Sequence, residues 1–523
     1  MAEELQDKDD QLQPEAPTSN KRIAKNAIAL YARMFIIMIV GLYTSRLVLA
    51  TLGIEDYGIY GVVGSITALM VFLNSAMSAA TSRFLTFELG RGDVTHLKKT
   101  FSNAIIAHIF IALIIFIVAE TVGLWFLYNK LVIPKERMTA AALVYQLSIA
   151  GTFLGIIQTP YNASIIAHEK MNIYAYVEIL NAIMKLAIVF LLTIGDYDKL
   201  VLYACLNLVV TIIIISIYRL YCIRQFKECH FKWIWDKKQL KNILSFSVWD
   251  LYGHMAFSFR QQGSNFLINM FCGVAINAAC GLASTIQGIV LGFSSNIVTA
   301  FRPQIIKQYA IGDYSRMNTL ISMGTRFSAV LIIMASLPII LKAEPIINLW
   351  LGQVPQGAVF MTIAMLCLNI VNTISYVVVI GIQASGKIAR NSIACGTLYL
   401  LCLPLMYFLL YLGYGYVSTY WVLLISGLFV LSIYIYNLKH CVPQFKLRIF
   451  LIKSLVPIII LLALSSLILY LLSQIFNNGL LQLILFFIVS VVIVGVFSLV
   501  LVFNRKERDL ALIKVRSFFV REK

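Results

Sequence analysis

The chain has 523 residues, 60% of them hydrophobic and 13% charged, with a mean hydropathy of +0.85 and a formal net charge of +18. That composition excludes a water-soluble globular fold and predicts a chain that crosses a membrane many times. The positive charge calls for no nucleic-acid partner, because its distribution along the chain follows membrane topology and contact with anionic lipid heads.

The first 25 residues are polar and include Glu3, Glu4, Asp7, Asp9 and Asp10, which reads as a disordered cytoplasmic tail (1–25) with no cleavable signal peptide. Apolar stretches of about 20 residues then recur almost to the end. They place fourteen spans near 27–50, 57–81, 101–128, 138–166, 173–194, 199–220, 242–270, 274–301, 318–341, 357–383, 390–411, 416–437, 450–474 and 480–503. Each is too long for a barrel strand, and each must satisfy its own backbone hydrogen bonds, so the expected fold is an all-α polytopic membrane protein. Gly58, Gly61 and Gly64 in span 2, and Gly281, Gly288 and Gly292 in span 8, suit close helix approach.

With both termini inside, 32 of the 42 Lys and Arg fall in cytoplasmic segments, five in outer loops and five within spans. This asymmetry fits the positive-inside rule and an even number of spans. The basic stretch from Arg219 to Lys241, with Trp233 and Trp235 among its lysines, reads as an interfacial link and a hinge. Nine cysteines stand singly, without a CxxC pair or a Cys/His cluster, and read as packing residues.

Residues 51–66, TLGIEDYGIYGVVGSI, return 220 positions later as FCGVAINAACGLASTI. At that offset Gly53 meets Gly273, Gly61 meets Gly281, and Gly92-Asp93 meets Gly312-Asp313; at an offset of 217, Ala167 and Lys170 meet Ala384 and Lys387. The plan is two pseudo-symmetric six-helix lobes, 26–221 and 242–441, joined by a basic cytoplasmic linker, 222–241. Two extra helices (442–504) and a basic cytoplasmic tail (505–523) follow. Paired repeats of this kind belong to transporters, which rock one bundle against another around a site near the bilayer midplane.

The run Arg46, Leu52-Gly53, Tyr57-Gly58 and Tyr60, then Ser82-Arg83 and Gly92-Asp93, resembles the bacterial polysaccharide flippases of O-antigen and capsule type. These belong to the multidrug/oligosaccharidyl-lipid/polysaccharide exporter superfamily. The resemblance extends over the whole chain in span count and repeat plan, with its motifs concentrated in the first two spans. It implies a V-shaped pair of lobes working by alternating access in the bacterial inner membrane, with a polyprenyl-pyrophosphate-linked oligosaccharide as cargo. It also implies membrane lipids, a polysaccharide polymerase and glycosyltransferases as partners.

Ionisable groups inside spans are costly and mark functional positions. There are eight: Arg33, Arg46, Glu120, Glu178, Lys185, Asp250, Arg260 and Arg326. Arg326 lies where its stem can snorkel to the headgroups, and Glu120 lies toward the outer end of span 3. Arg33, Arg46, Lys185 and Arg260 are the candidate substrate contacts, because arginine can replace the hydration of a lipid pyrophosphate with bidentate, charge-assisted hydrogen bonds. Arg83, at the cytoplasmic end of span 2, is the candidate for substrate uptake.

Glu178, Asn181 and Lys185 share one face of span 5 at i, i+3 and i+7, and Asp250, His254 and Gln261 form a second polar stripe in span 7. Asp250 could form a gate salt bridge with Arg33. Asp250, Glu178 and His254 are candidates for a gate or for coupling to Na+ or H+, with His108 a further proton carrier. No bound cofactor or metal is expected, and both stripes also fit interhelical hydrogen bonds that only hold the bundle together.

Two other functions stay open. A multidrug exporter of the same superfamily would want an acidic cavity for cationic drugs, whereas the embedded charges are five basic and three acidic. A membrane polysaccharide polymerase or glycosyltransferase would carry a sizeable outer loop around catalytic acids and bases, and no outer loop much exceeds 15 residues. A transporter, not an enzyme, is expected.

Overall fold

A computed structural model of the protein describes residues 20–129, 133–192, 194, 197–231, 236–351, 354–477, 479–504, 507 and 508. Some side chains inside its helices, Arg46 among them, lie outside the described set, as do Trp233, Trp235 and most of both expected tails. The described residues form helices without a strand. Unit by unit they run α1 (Asn20–Arg91), α2 (Val94–Asn129), α3 (Met138–Ala167), α4 (Met171–Leu191), α5 (Lys199–Gln225) and α6 (Lys237–Ala310). There follow α7 (Tyr314–Leu341), α8 (Ala343–Leu351), α9 (Ala358–Ser385), α10 (Ala389–Tyr411), α11 (Gly415–Cys441), α12 (Leu447–Ser473) and α13 (Leu480–Val502).

Among the described residues, eleven segments are long and apolar enough to cross a membrane. The two arms of α1 and the first arm of α6 supply three more helical segments of spanning length, so the all-α fold holds the fourteen expected. The first arm of α6 carries Asp250, His254, Arg260 and Gln261, which explains its lower apolarity. α1 is already helical at Asn20, the first described residue, which lies inside the expected tail (1–25).

Both long helices break at a glycine. Gly53 has φ 80°, ψ 170° and Gly273 has φ 83°, ψ 175°, a backbone region that a Cβ closes to almost every other residue. The two are the pair matched by the repeat. Gly92 and Gly312 follow suit at φ 74° and 79°, and each is followed by an aspartate that caps the next helix. Asp93 Oδ1 accepts from the His96 N–H at 2.9 Å and Asp313 Oδ1 from the Arg316 N–H at 2.8 Å. At the ends of α3 and α9, Glu169 (φ 59°) and Gly386 (φ 75°) turn left-handed at the second offset, 217.

The chain divides into two compact units, 1–251 and 252–523, with the division inside the first arm of α6. Leu240 and Ile243 of that arm pack with Met77 and Phe84 of α1 and Ala107 and Ile111 of α2 in the first unit. In the second unit Tyr252, Ala256 and Phe257 pack against α10 and α11. The first unit's core centres on Phe101, Tyr161, Ile165 and Tyr218. In the second, α9 is the most enclosed helix, with Met361, Leu366, Val377 and Ile382 fully buried.

In a bilayer, apolar side chains gain little by leaving lipid, so helices associate through close packing at small residues. Two of the expected glycines, Gly281 and Gly288, do not serve this purpose, while Gly58, Gly61 and Gly64 lie outside the residues whose side-chain surroundings are described. A Cβ on Gly281 or Gly288 would meet nothing within 4 Å, whereas one on Gly381 would approach Leu438 Cδ1 at 2.8 Å and Ile321 Cδ1 at 2.9 Å. On Gly396 it would meet Tyr252 Cε1 at 2.5 Å. Sequence spacing does not reveal which face of a helix meets a neighbour.

The appended helices α12 and α13 pack against α7, where Ile333, Leu461 and Val494 share one cluster. Each includes a turn of π-helix, at Leu451–Leu455 and Ser498–Val502. Arg326 of α7 reaches the first of these, donating from Nη1 to the Lys453 carbonyl and Ser454 hydroxyl at 3.3 Å each, while Nη2 pairs with Glu507 Oε1 at 2.5 Å. Arg326 is 2% exposed, so it does not snorkel to the headgroups as expected. A carboxylate 181 residues away makes burial the better option.

Candidate substrate and coupling sites

In the first unit two of the embedded charges, Arg33 and Glu178, gather around two tyrosines. Arg33 of α1 sets its guanidinium carbon 4.9 Å from the ring centroid of Tyr174 on α4. One turn along α4, Glu178 accepts a hydrogen bond of 3.0 Å from the hydroxyl of Tyr218 on α5, and the two tyrosine rings lie 6.4 Å apart. Arg33, Tyr174, Tyr218 and Glu178 thus form a continuous cation–aromatic–carboxylate cluster across three helices. The Arg33 Nε makes no hydrogen bond among the described residues. Arg33 and Asp250 form no ion pair among the described residues; the face of Tyr174 takes the guanidinium instead.

Lys185, which helical periodicity puts on the Glu178 face, is exposed and does not join this cluster. Arg83 is buried, with its guanidinium carbon 4.6 Å from the Phe84 ring, 5.0 Å from Phe87 and 5.8 Å from Phe246. Asp250 is buried and His254 exposed, so the expected stripe in α6 does not present one uniform surface. His108 is fully buried with Nδ1 2.8 Å from the Ala104 carbonyl; a carbonyl only accepts, so Nδ1 carries the proton. The side chain of Arg46 lies outside the described residues.

In the second unit Arg260 is the largest fully buried side chain, at 0% exposure. Its guanidinium carbon lies 4.4 Å from the ring centroid of Tyr399 on α10 and 5.0 Å from that of Phe257, one turn back on α6. Nη1 donates to Ser426 Oγ of α11 at 3.2 Å, and that hydroxyl donates in turn to the Leu423 carbonyl, which leaves its lone pairs toward the arginine. Nε and Nη2 make no hydrogen bond among the described residues.

Desolvating the cation costs several kcal/mol. Two cation–π contacts at about 2 kcal/mol each and one charge-assisted bond at about 1.5–3 kcal/mol offset much of that. The two idle nitrogens, with three N–H groups between them, still cost about 1–3 kcal/mol each. An anion against Nε and Nη2 would remove that penalty, and their fork matches a carboxylate or phosphate edge.

Spacing along the sequence concealed a further cluster. Arg137, in the turn before α3, donates from Nε and Nη2 to both carboxylate oxygens of Asp56 at 2.9 and 2.6 Å. Its Nη1 donates to Asp198 at 2.6 Å. Asp198 caps α5, and Asp56 lies three residues beyond the Gly53 break. Burial raises the Asp198 carboxyl, but the bonds from Arg137, Val201 N–H and Leu200 N–H outweigh it and hold the group below its ordinary range. Arg137 is raised in turn, chiefly by its bonds to Asp198 and Asp56. The sequence offered one signal, that Arg137 is the sole arginine among the five outer cations.

The family model described as polysaccharide biosynthesis protein matches residues 23–344, more than half of the chain. Among curated proteins none matches significantly. Solved structures share the fold. A multidrug resistance MATE family transporter of the MOP superfamily in an outward-facing conformation aligns with a TM-score of 0.71 at 14% identity, covering 83% of this chain and 98% of that one. MATE in a bent conformation aligns with a TM-score of 0.71 at 13% identity, covering 82% and 97%. A MOP superfamily transporter from Pyrococcus furiosus, described as having a binding pocket of reverse polarity that suggests a different function, aligns with a TM-score of 0.68 at 14% identity, covering 84% and 98%.

Proposed function

The chain belongs to the polysaccharide biosynthesis protein family and has the MOP transporter fold, and from that premise we propose that it flips a polyprenyl-pyrophosphate-linked oligosaccharide across the bacterial cytoplasmic membrane. One observation carries the choice of cargo. Arg260 is buried within the second unit with two guanidinium nitrogens idle, an arrangement suited to an anion and hostile to a cationic drug. A lipid pyrophosphate supplies the anionic edge such a guanidinium lacks. Arg33 serves the same charge in the first unit, with Arg46 and Lys185 as further contacts and Arg83 at uptake. Glu178, Asp250 and His254 are the proposed sites of gating or of coupling to H+ or Na+.

The multidrug reading is the alternative that the MATE structures favour by fold, and the basic character of the embedded charges argues against it. The charge asymmetry of the loops supports cytoplasmic termini. Polysaccharide polymerases and glycosyltransferases that make or consume the lipid-linked glycan are the proposed partners.

The test is reconstitution in liposomes with a fluorescent polyprenyl-pyrophosphate oligosaccharide, following access of the label to an outer quencher. Accelerated translocation that is lost in Arg260→Ala supports the proposal. No acceleration over empty vesicles under any ion gradient, or transport of cationic dyes instead, overturns it.

A further inference from the structure

We propose that an open groove at the start of α6 binds an anionic phospholipid of the cytoplasmic leaflet. The groove has a volume of about 480 Å³ and is lined by Lys237, Leu240, Lys241, Leu244, Ser245 and Val248. On a helix, 237, 241, 244, 245 and 248 fall at i, i+4, i+7, i+8 and i+11, which is one stripe. Cation and hydrocarbon are separated along it. The two lysines occupy the first turns, at the end of α6 that the charge pattern assigns to the cytoplasm, and Leu244 and Val248 continue inward. At 1.5 Å per residue, Lys237 to Val248 spans about 16 Å, enough to pass from headgroup depth into the chains.

This stripe is exposed although the helix has a well-packed inner face. Val248 is 60% and Leu244 37% exposed, while Ile243 is fully buried against α1 and α2. Both lysines are exposed and make no ion pair among the described residues. Asp236 precedes them at the start of α6, half-buried, with its N–H held by Asn103 Oδ1 at 3.3 Å.

The charge of the two lysines is complementary to phosphate. Lysine suits a headgroup that stays hydrated at the interface, whereas arginine suits one that must be desolvated. The groove therefore fits a resident phospholipid, in contrast to the enclosed Arg260.

The test is lipid retention by the delipidated full chain in native mass spectrometry, with phosphatidylglycerol against phosphatidylcholine of the same chains. Wild type is expected to hold phosphatidylglycerol preferentially, and Lys237→Gln/Lys241→Gln to weaken that on the order of tenfold. Lys387→Gln/Lys446→Gln, which removes the same charge from exposed positions elsewhere, should leave it unchanged. Ser245→Glu keeps both lysines, places a carboxylate in the groove at an exposed position and should weaken binding too. Equal retention of the two lipids, an unaltered Lys237/Lys241 variant, or equal losses in both double variants overturns the proposal. Lysine-dependent displacement of phosphatidylglycerol by a polyprenyl pyrophosphate would assign the groove to the carrier lipid instead, and would also overturn it.

Discussion

Gly53 and Gly273, 220 residues apart, break their helices with the same backbone geometry, φ 80°, ψ 170° and φ 83°, ψ 175°. A Cβ on either would touch nothing within 4 Å, so alanine at these positions acts through backbone strain alone. Gly53→Ala and Gly273→Ala should each destabilise the protein by about 1–3 kcal/mol, or straighten the helix and impair transport. Gly281→Ala, in an open helical position, should be neutral or stabilising by about 0.5–1 kcal/mol. Thermal unfolding in detergent and liposome transport measured on all three separate strain from simple crowding.

Arg260 separates stability from function. Arg260→Met replaces a buried cation with an apolar chain of similar length, so stability should hold or rise by up to about 4 kcal/mol while transport is lost. Equal loss of both would make Arg260 a structural residue. A melting curve and a translocation assay on the same preparation decide between the outcomes.

Arg326 and Glu507 tie the chain beyond α13 to α7 through a buried pair. Glu507→Gln leaves the arginine without its counter-ion and should cost about 3–5 kcal/mol. Arg326→Met/Glu507→Leu should recover most of that loss. A double-mutant cycle on unfolding midpoints measures the coupling.

The Arg137 clamp is expected to weaken in acid. Asp198 is held below its ordinary range in the folded protein, so its contribution is complete above the ordinary aspartate value and is lost as pH falls through the lowered one. Arg137→Lys keeps the charge but loses the fork that reaches Asp56 and Asp198 together. Melting temperatures followed from neutral pH down through and below the ordinary aspartate range should fall more steeply toward acid in wild type than in Arg137→Lys, whose clamp is already weakened.

The features that the sequence made legible are those governed by nearest neighbours along the chain. Gly92-Asp93 and Gly312-Asp313 form left-handed turns with helix caps because a few consecutive residues settle both. The burial of Arg326 is not legible along the chain because its partner Glu507 lies 181 residues away. The Arg137 clamp is hidden for the same reason, with Asp56 81 and Asp198 61 residues distant. Periodicity puts Lys185 on the face of Glu178 because it sets a side chain's direction around its own helix, and it says nothing about what stands opposite. Glu178 meets Tyr218 and Lys185 meets no partner among the described residues.

By itself the sequence determined the membrane class, the number of helical segments and the two glycine breaks. Hydrocarbon thickness, backbone hydrogen bonding and the steric exclusion of Cβ are local constraints that each segment meets alone. Tertiary structure alone decided which embedded charges are neutralised and which are left wanting a partner. Arg326 found a carboxylate, Arg33 an aromatic face, and Arg260 two rings and one hydroxyl with two nitrogens still idle. The balance between desolvation and attraction depends on distances between helices, which no spacing within one helix contains.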